Sequence, residues 1–459
     1  MPTCENCSCA AGMKIHEVMR LKEPCRVAMV GAGGKTSALW RLSDSFEGKV
    51  VLTTSTHLSA DQVVRADRNI YIDSILDLQT INWTELPRVT SITGPLVDGN
   101  RLHGLTLNEC DQIFESSRQH QFSVIVEADG ARMLPLKAPA EHEPAIPPGV
   151  DVVIVVAGLT GLGQLLDERA VFRVEEFSTL SGIALGQSIT AEGMAKVLCD
   201  PRGGLKGIPE EVRRVLLLNQ LDSVDEKSVP LRIANSCIKQ FDMVIIGSVG
   251  YYQEQPVIAA RIEPVAGIIL AAGGSKRFGG ITKALLEFEG ETLIRRAVKT
   301  AKMAGLDPVI VVTGYHAVDV EKALNGLDVE IIPNNEWESG QSSSIRAGLR
   351  HLGGRCGAAL FLLTDQPFVT PELIDKLVQE YQTAMTPIIA PLVDGMRANP
   401  VLFDRVIFND LMTLEGDTGG RGIMSRYQHA WLPWLDQRLL MDIDTPDDLE
   451  MCKNAARSY

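Results

Sequence analysis

Twice in this chain an unbroken apolar run ends in a glycine-rich turn carrying cations. The first is Arg26-Val-Ala-Met-Val-Gly31-Ala-Gly33-Gly34-Lys35-Thr36-Ser37. The second is Val265-Ala-Gly-Ile-Ile-Leu270-Ala271-Ala272-Gly273-Gly274-Ser275-Lys-Arg277-Phe-Gly-Gly-Ile-Thr-Lys283. Apolar runs without alternation read as strands buried on both faces, the pattern of parallel sheets. Glycines let the backbone come close to a phosphate chain and offer it N–H groups. Each half of the chain is thereby committed to alternating strands and helices, with a ligand-binding edge where the turn leaves its strand.

Further strands are expected at Lys49–Thr53, Val124–Glu127, Val152–Val156, Val215–Leu218 and Met243–Ile246 in the first half. In the second half they are expected at Pro308–Val312, Val329–Ile332, Ala358–Leu363 and Pro387–Pro391. This βαβ alternation predicts an α/β fold of two three-layer αβα domains. The first domain, 21–260, is P-loop-like, and the second, 265–459, is Rossmann-like. A cysteine-containing tail, 1–20, precedes them, and Arg261-Ile-Glu-Pro-Val265 reads as the joining segment.

The chain has 459 residues and a formal net charge of −14. That balance argues against nucleic acid or an anionic membrane as partner and favours small anionic substrates held at local basic sites. No secretory apolar region and no membrane-spanning run is found, which predicts a cytoplasmic protein. Nine cysteines in such a chain read as mostly reduced thiols. Cys4, Cys7 and Cys9 crowd the start, as a disordered tail or as a soft-metal or redox site lacking an evident fourth ligand.

In the first half, Gly31, Gly33, Gly34, Lys35, Thr36 and Ser37 form a shortened P-loop. The glycine of the full spacing would fall at Met29. Lys35 is expected on the phosphates and Thr36 on Mg²⁺. Val124-Ile-Val-Glu127-Ala-Asp129 ends a strand with carboxylates placed for magnesium or water. Thr53-Thr-Ser-Thr-His57 follows another strand. His142 in Lys137-Ala-Pro-Ala-Glu-His142 is either a surface side chain or a site residue. Asn219-Gln-Leu-Asp222 looks like the guanine-reading Asn-Lys-x-Asp of GTPases, weakened by Gln in place of Lys; GTP and ATP are both kept as expected ligands of this half. Together these motifs, over about 13–251, are similar to the selenium-dependent hydroxylase accessory proteins of the YqeC type.

In the second half, Asp365 closes a buried strand, where open α/β sheets bind ligands. Asp444 in Met441-Asp-Ile-Asp444-Thr-Pro precedes a helix start. Two such acids with a triphosphate loop suit Mg²⁺, which takes a few carboxylates plus water and phosphate oxygens. Ser343, in Gly340-Gln-Ser-Ser343-Ser, is either an N-terminal helix cap or a contact for a sugar or base. The ordered set of glycine loop, Asp365-Gln-Pro, Gly416-Asp-Thr-Gly-Gly-Arg421 and Asp442-Ile-Asp444-Thr-Pro-Asp resembles the molybdenum cofactor nucleotidyltransferases, of glycosyltransferase-A-like fold. Ala271-Ala272-Gly273 and Pro391-Leu392 resemble the cytidylyl type. Where relatives carry Gly-His-Pro, this chain reads Ala398-Asn399-Pro400, so Asn399 hydrogen-bonds without charge.

The resemblance implies transfer of CMP from CTP to molybdopterin, with release of pyrophosphate. It implies Arg277 and Lys283 on the triphosphate and Asp365 and Asp444 on Mg²⁺. Leu270, Ala271, Ala272, Gly273, Gly274, Ser275, Ser343, Pro391 and Leu392 would contact the nucleotide. The first half would aid maturation of a molybdenum hydroxylase apoenzyme, with selenium chemistry one of the options. The alternatives are a guanylyl or sugar-phosphate nucleotidyltransferase, and a non-catalytic, nucleotide-switched carrier of finished cofactor.

Overall fold

The computed structural model describes residues 13–97, 99–250, 255–274 and 282–457. It divides into two compact units, 10–262 and 263–459. The tail cysteines Cys4, Cys7 and Cys9, and Ser275 and Arg277, lie outside the described residues.

The N-terminal unit is built on one nine-stranded sheet. Its strands in chain order are β1 (Arg26–Gly31), β2 (Val50–Thr54), β3 (Arg68–Tyr71), β4 (Val89–Thr93), β5 (Ser123–Glu127), β6 (Val152–Gly158), β7 (Arg213–Asn219), β8 (Met243–Ser248) and β9 (Val257–Ile262). In space the order is β9-β8-β7-β6-β1-β5-β2-β4-β3. All neighbours are parallel except the β8–β9 edge pair. The apolar runs behave as the composition requires: Val27, Ala28, Met29, Val124, Ile125 and Val153 to Val156 are almost wholly buried. Helix α1 (Lys35–Ser45) starts directly from the glycine turn after β1. Arg261 and Ile262, expected in the joining segment, instead belong to β9 and are buried. The chain therefore leaves the sheet only at Glu263-Pro264.

The C-terminal unit has an eight-stranded sheet. Its strands are β10 (Val265–Ala271), β11 (Val309–Thr313), β12 (Glu330–Pro333), β13 (Ala358–Leu363), β14 (Ile388–Val393), β15 (Met396–Arg397), β16 (Val401–Asp404) and β17 (His429–Pro433). The order is β12-β11-β10-β13-β16-β14-β15, with β17 beside β14. Strands β12 to β13 are parallel, and β16 runs against both β13 and β14. The chain reverses its direction of travel across the sheet between β10 and β13, which opens a crevice at their carboxyl ends. Side chains alternate to two apolar layers: Ile269, Val311 and Leu360 on one face, Ile268, Val312 and Phe361 on the other. Helices α2 (Leu293–Met303), α3 (Gln341–Leu352), α4 (Pro371–Ala384) and α5 (Pro446–Arg457) complete the unit.

Two polar groups of low exposure anchor parts of these units. In the C-terminal unit, the Tyr381 hydroxyl on α4 donates within reach of the Gly357 carbonyl and Asp404 Oδ2, each 3.0 Å away, tying the helix to the sheet. In the N-terminal unit, Glu143 accepts from Lys137 Nζ at 2.8 Å and from both terminal nitrogens of Arg173 at 2.6 and 2.9 Å. Burial alone would raise the Glu143 pKa, but these donors hold it down to about 2.

Two outcomes are expected. Tyr381→Phe removes the bonds to Gly357 and Asp404 and should cost about 1–3 kcal/mol, read as a lower urea midpoint for the C-terminal unit. The depressed Glu143 carboxylate stabilises the fold fully above pH 4.5, its ordinary value, and that stability is lost as pH falls toward 2. The gap corresponds to about 3 kcal/mol. Glu143→Gln should flatten this acid limb of a stability–pH curve, and an unchanged limb would assign it to other groups.

Candidate functional site

At the carboxyl end of β1 the chain turns through Gly31, Gly33 and Gly34, whose φ values are +98°, +78° and +104°. A Cβ on Gly33 would stand 2.1 Å from the Gly158 nitrogen, so only glycine fits. The turn is held from three sides. Gly31 N–H donates to Asp129 Oδ2 at 2.9 Å, Ala32 N–H to the Val156 carbonyl at 2.8 Å, and Gly33 N–H to Leu134 at 3.0 Å. Asn219 at the end of β7 donates its amide to the Gly33 carbonyl at 2.8 Å and accepts from Val249 N–H at 2.9 Å. Asn219 thus ties the loop to the end of β7. Asp222 stays exposed, with Ser248 donating to its carboxylate. Gln220, where GTPases carry Lys, accepts from the Thr160 hydroxyl at 2.6 Å.

Lys35 departs from its expected position. Its side chain is 4% exposed, and its ammonium donates to the Gly31 carbonyl at 2.7 Å and lies 3.1 Å from Asp129 Oδ1. Burial works against this charge, but Asp129 and Glu127 outweigh it and raise the Lys35 pKa. Thr36 and Glu127 do come together, with hydroxyl and carboxylate oxygens 3.4 Å apart, and Gln62 donates to the same hydroxyl at 2.8 Å. Burial pushes the Glu127 carboxyl upward, with Lys35 pulling the other way. The α1 start, which carries Ser37, offers first-turn N–H groups that lack intrahelical partners, a fit for an anion. His142 is exposed.

In the C-terminal unit the crevice between β10 and β13 gathers the expected acids. The Ile443 N–H donates to the Asp365 carbonyl at 2.9 Å, which brings the segment before α5 against the end of β13. Lys283 then stands between the two side chains, 3.3 Å from Asp365 Oδ2 and hydrogen-bonded to Asp444. Burial opposes the Lys283 charge, yet Asp444 and Asp365 raise its pKa. Asp365 Oδ1 is buried and has no hydrogen-bond partner among the described residues. Asp442 joins the cluster through Gln366, whose amide donates to it at 2.9 Å; burial raises the Asp442 pKa, and Asp365 and Asp444 raise it further. Among the described residues no group of three or more His, Cys, Asp or Glu is arranged to hold a metal ion. Asp365 and Asp444 are a two-carboxylate set, and the unpartnered Oδ1 fits a cation.

Two adjoining cavities open at the carboxyl ends of β10 and β13, lined by Leu270 and Leu363 and not by the acid cluster itself. One, of about 910 Å³, is lined by Leu270, Ala272, Gly273, Gly274, Trp337 and Gln341. The Trp337 and Tyr315 rings lie 5.4 Å apart and flank Gly274. The second, of about 290 Å³, is lined by Arg397, Asn399, Asp417 and Arg421 over an apolar floor that includes Phe361 and Phe403. Burial lowers the Arg397 pKa, and the like charge of Arg421 lowers it further. Leu270, Gln341, Leu363 and Asp417 line both cavities.

Several expected contacts lie elsewhere. Ser343 is 3% exposed; its hydroxyl donates to Gly340 at 2.8 Å and accepts from Asn334 at 2.8 Å, so it builds the turn before α3. Pro391 and Leu392 sit on β14, three strands or about 14 Å from β10, paired with Leu432 and Pro433. Ala271 is buried behind the turn. Arg397, Arg421, Asp442, Trp337 and Tyr315 are site residues that motif reading did not single out. The signal for Arg421 was present at the end of Gly416–Arg421.

Comparison with known proteins follows the same division. The family of MobA-like NTP transferase domains matches residues 267–430, and the YqeC protein family matches residues 27–175. The uncharacterized YqeC protein of Escherichia coli is 28% identical over 52% of this chain and 92% of its own length. Nicotine blue oxidoreductase of Paenarthrobacter nicotinovorans is 30% identical over 40% of this chain and 94% of its own. Molybdenum cofactor cytidylyltransferase of Escherichia coli is 26% identical over 40% and 94%. The chain belongs to the MobA-like NTP transferase family through its C-terminal unit, joined in one polypeptide to an N-terminal YqeC domain.

Proposed function

We propose that the C-terminal unit transfers CMP from CTP to the terminal phosphate of molybdopterin, releasing pyrophosphate. The observation that carries this reading is the buried, unpartnered Asp365 oxygen beside Lys283 and Asp444, next to the glycine turn. A phosphate monoester is already an anionic nucleophile near neutral pH, so the reaction needs positioning and charge neutralisation more than a strong base. Gly273 and Gly274 bring the backbone to the triphosphate. Trp337 and Tyr315 flank the base. Lys283 and Arg277 neutralise the leaving group. Arg397, Arg421 and Asn399 hold the acceptor phosphate in the second cavity.

Asp365 and Asp444 are the residues that would hold Mg²⁺, with its other positions left to water and phosphate oxygens. When bound, the ion supplies neutralisation of phosphate charge. The likeness to molybdenum cofactor cytidylyltransferase supports the choice of CTP and molybdopterin. For the YqeC domain we propose nucleotide binding, GTP or ATP, at Gly31–Ser37 with Thr36 and Glu127, in a cytoplasmic protein that helps mature a molybdenum hydroxylase. A second reading of the C-terminal unit, oxidoreduction, rests on the 30% identity to nicotine blue oxidoreductase. It predicts a redox product without pyrophosphate.

With molybdopterin as acceptor, CTP should release pyrophosphate and GTP should not; release with GTP alone would overturn the base assignment. Asp365→Asn should lower kcat by about 100-fold or more with an unchanged urea midpoint. Arg421→Ala should raise the KM for molybdopterin about tenfold or more while leaving that for CTP near its parent value.

A further inference from the structure

A pair of facing histidines lies away from both glycine turns. After β2 the chain forms a short strand, His57–Ser59, that pairs antiparallel with Arg101–His103, with His57 directly opposite His103. Side chains alternate across this two-stranded ribbon. Leu58 and Leu102 point into a small apolar cluster with Val63, while His57 and His103 are exposed on the other face. Their ring centres are 5.2 Å apart.

Both rings are oriented by backbone carbonyls. His57 Nδ1 lies 2.8 Å from the Thr56 carbonyl, and His103 Nδ1 lies 2.7 Å from the Gly104 carbonyl. A carbonyl only accepts, so these partners assign the proton to Nδ1 in each ring and leave a lone pair on each Nε2. An imidazole anchored through one nitrogen and open at the other is the usual second-shell arrangement of a metal-binding histidine. The spacing agrees. A zinc ion ~2.1 Å from each Nε2 stands roughly 3.2 Å from each ring centre, and tetrahedral ligation then separates the centres by about 5.2 Å.

The backbone fixes this geometry without a ligand. A Cβ on Gly104 would stand 1.8 Å from the Thr56 carbonyl oxygen, so the two ring-orienting peptides pack directly on each other. The ribbon also sits at the rim of the first glycine loop: Gln62, three residues past Ser59, donates to Thr36. We infer that His57 and His103 form an open binding site for an imidazole-preferring divalent transition metal, such as zinc or copper(II), whose remaining positions face solvent or a bound molecule. The inference stands independently of the transferase reading.

Zinc alone, titrated into the full-length protein against a chromophoric chelator, tests it. The parent should hold one more zinc than the His57→Ala/His103→Ala double variant, a difference that cancels any zinc taken by the cysteine tail. Each single variant should weaken that site by about tenfold or more. The double variant should melt at the parent temperature without metal, since neither ring is in the core. Equal zinc stoichiometry and affinity in parent and double variant would overturn the proposal, as would no zinc uptake by the parent.

Discussion

Like charges from distant parts of the chain must be held side by side for the C-terminal crevice to exist. Asp365, Asp442 and Asp444 converge there because the Ile443 backbone bonds the Asp365 carbonyl at the end of β13. Lys283 makes that convergence tolerable. It answers two carboxylates at once, and their attraction keeps its ammonium charged despite partial burial. The cleft walls are placed around this point. The glycine turn leaves β10 on one side, and the Gly416–Arg421 loop closes the other by packing on the start of α3. Gly340 makes that packing possible, since its φ is +104° and a Cβ would stand 2.4 Å from the Gly416 carbonyl carbon.

The two units treat charge in opposite ways. Beneath the YqeC loop the cations and acids close on one another: Lys35 with Asp129, Lys137 with Asp129 and Glu143, Arg173 with Glu143. With Glu127 also beside Lys35, three cations face three acids, and this near-balanced network stiffens the loop. In the second C-terminal cavity the cations face each other instead, and Arg421 depresses the pKa of Arg397. Two like charges around one cavity are relieved by an anion placed between them.

Much of this architecture was legible from the apolar runs. The strands expected at Lys49–Thr53, Val152–Val156 and Ala358–Leu363 appear within a few residues of those bounds, because burial on both faces leaves no alternation to misread. The strands that escaped notice are of another kind. Arg68–Tyr71 is a mostly exposed edge strand, Val89–Thr93 is rich in hydroxyls, and Val401–Asp404 runs antiparallel within the sheet. The site was legible where a motif fixes a backbone path, as with the glycine turns and the acids at strand ends. It was not legible where side-chain direction decides. Ser343 turned inward to Asn334, Lys35 turned under its own loop, and Pro391 and Leu392 fell strands away from the turn they were paired with in sequence reasoning. The facing arginines depend on β15 and the Gly416–Arg421 loop meeting in space, which no local pattern encodes.

One shared wall has a thermodynamic consequence. Gln341 and Asp417 line both cavities, and the Gln341 N–H donates to the Asp417 carboxylate at 3.3 Å. A guest that shifts this pair from one side alters what the other guest meets. Where a guest does so, occupancy of the two compartments is energetically linked, and that linkage is reciprocal: whatever factor the first ligand imposes on the second, the second imposes on the first.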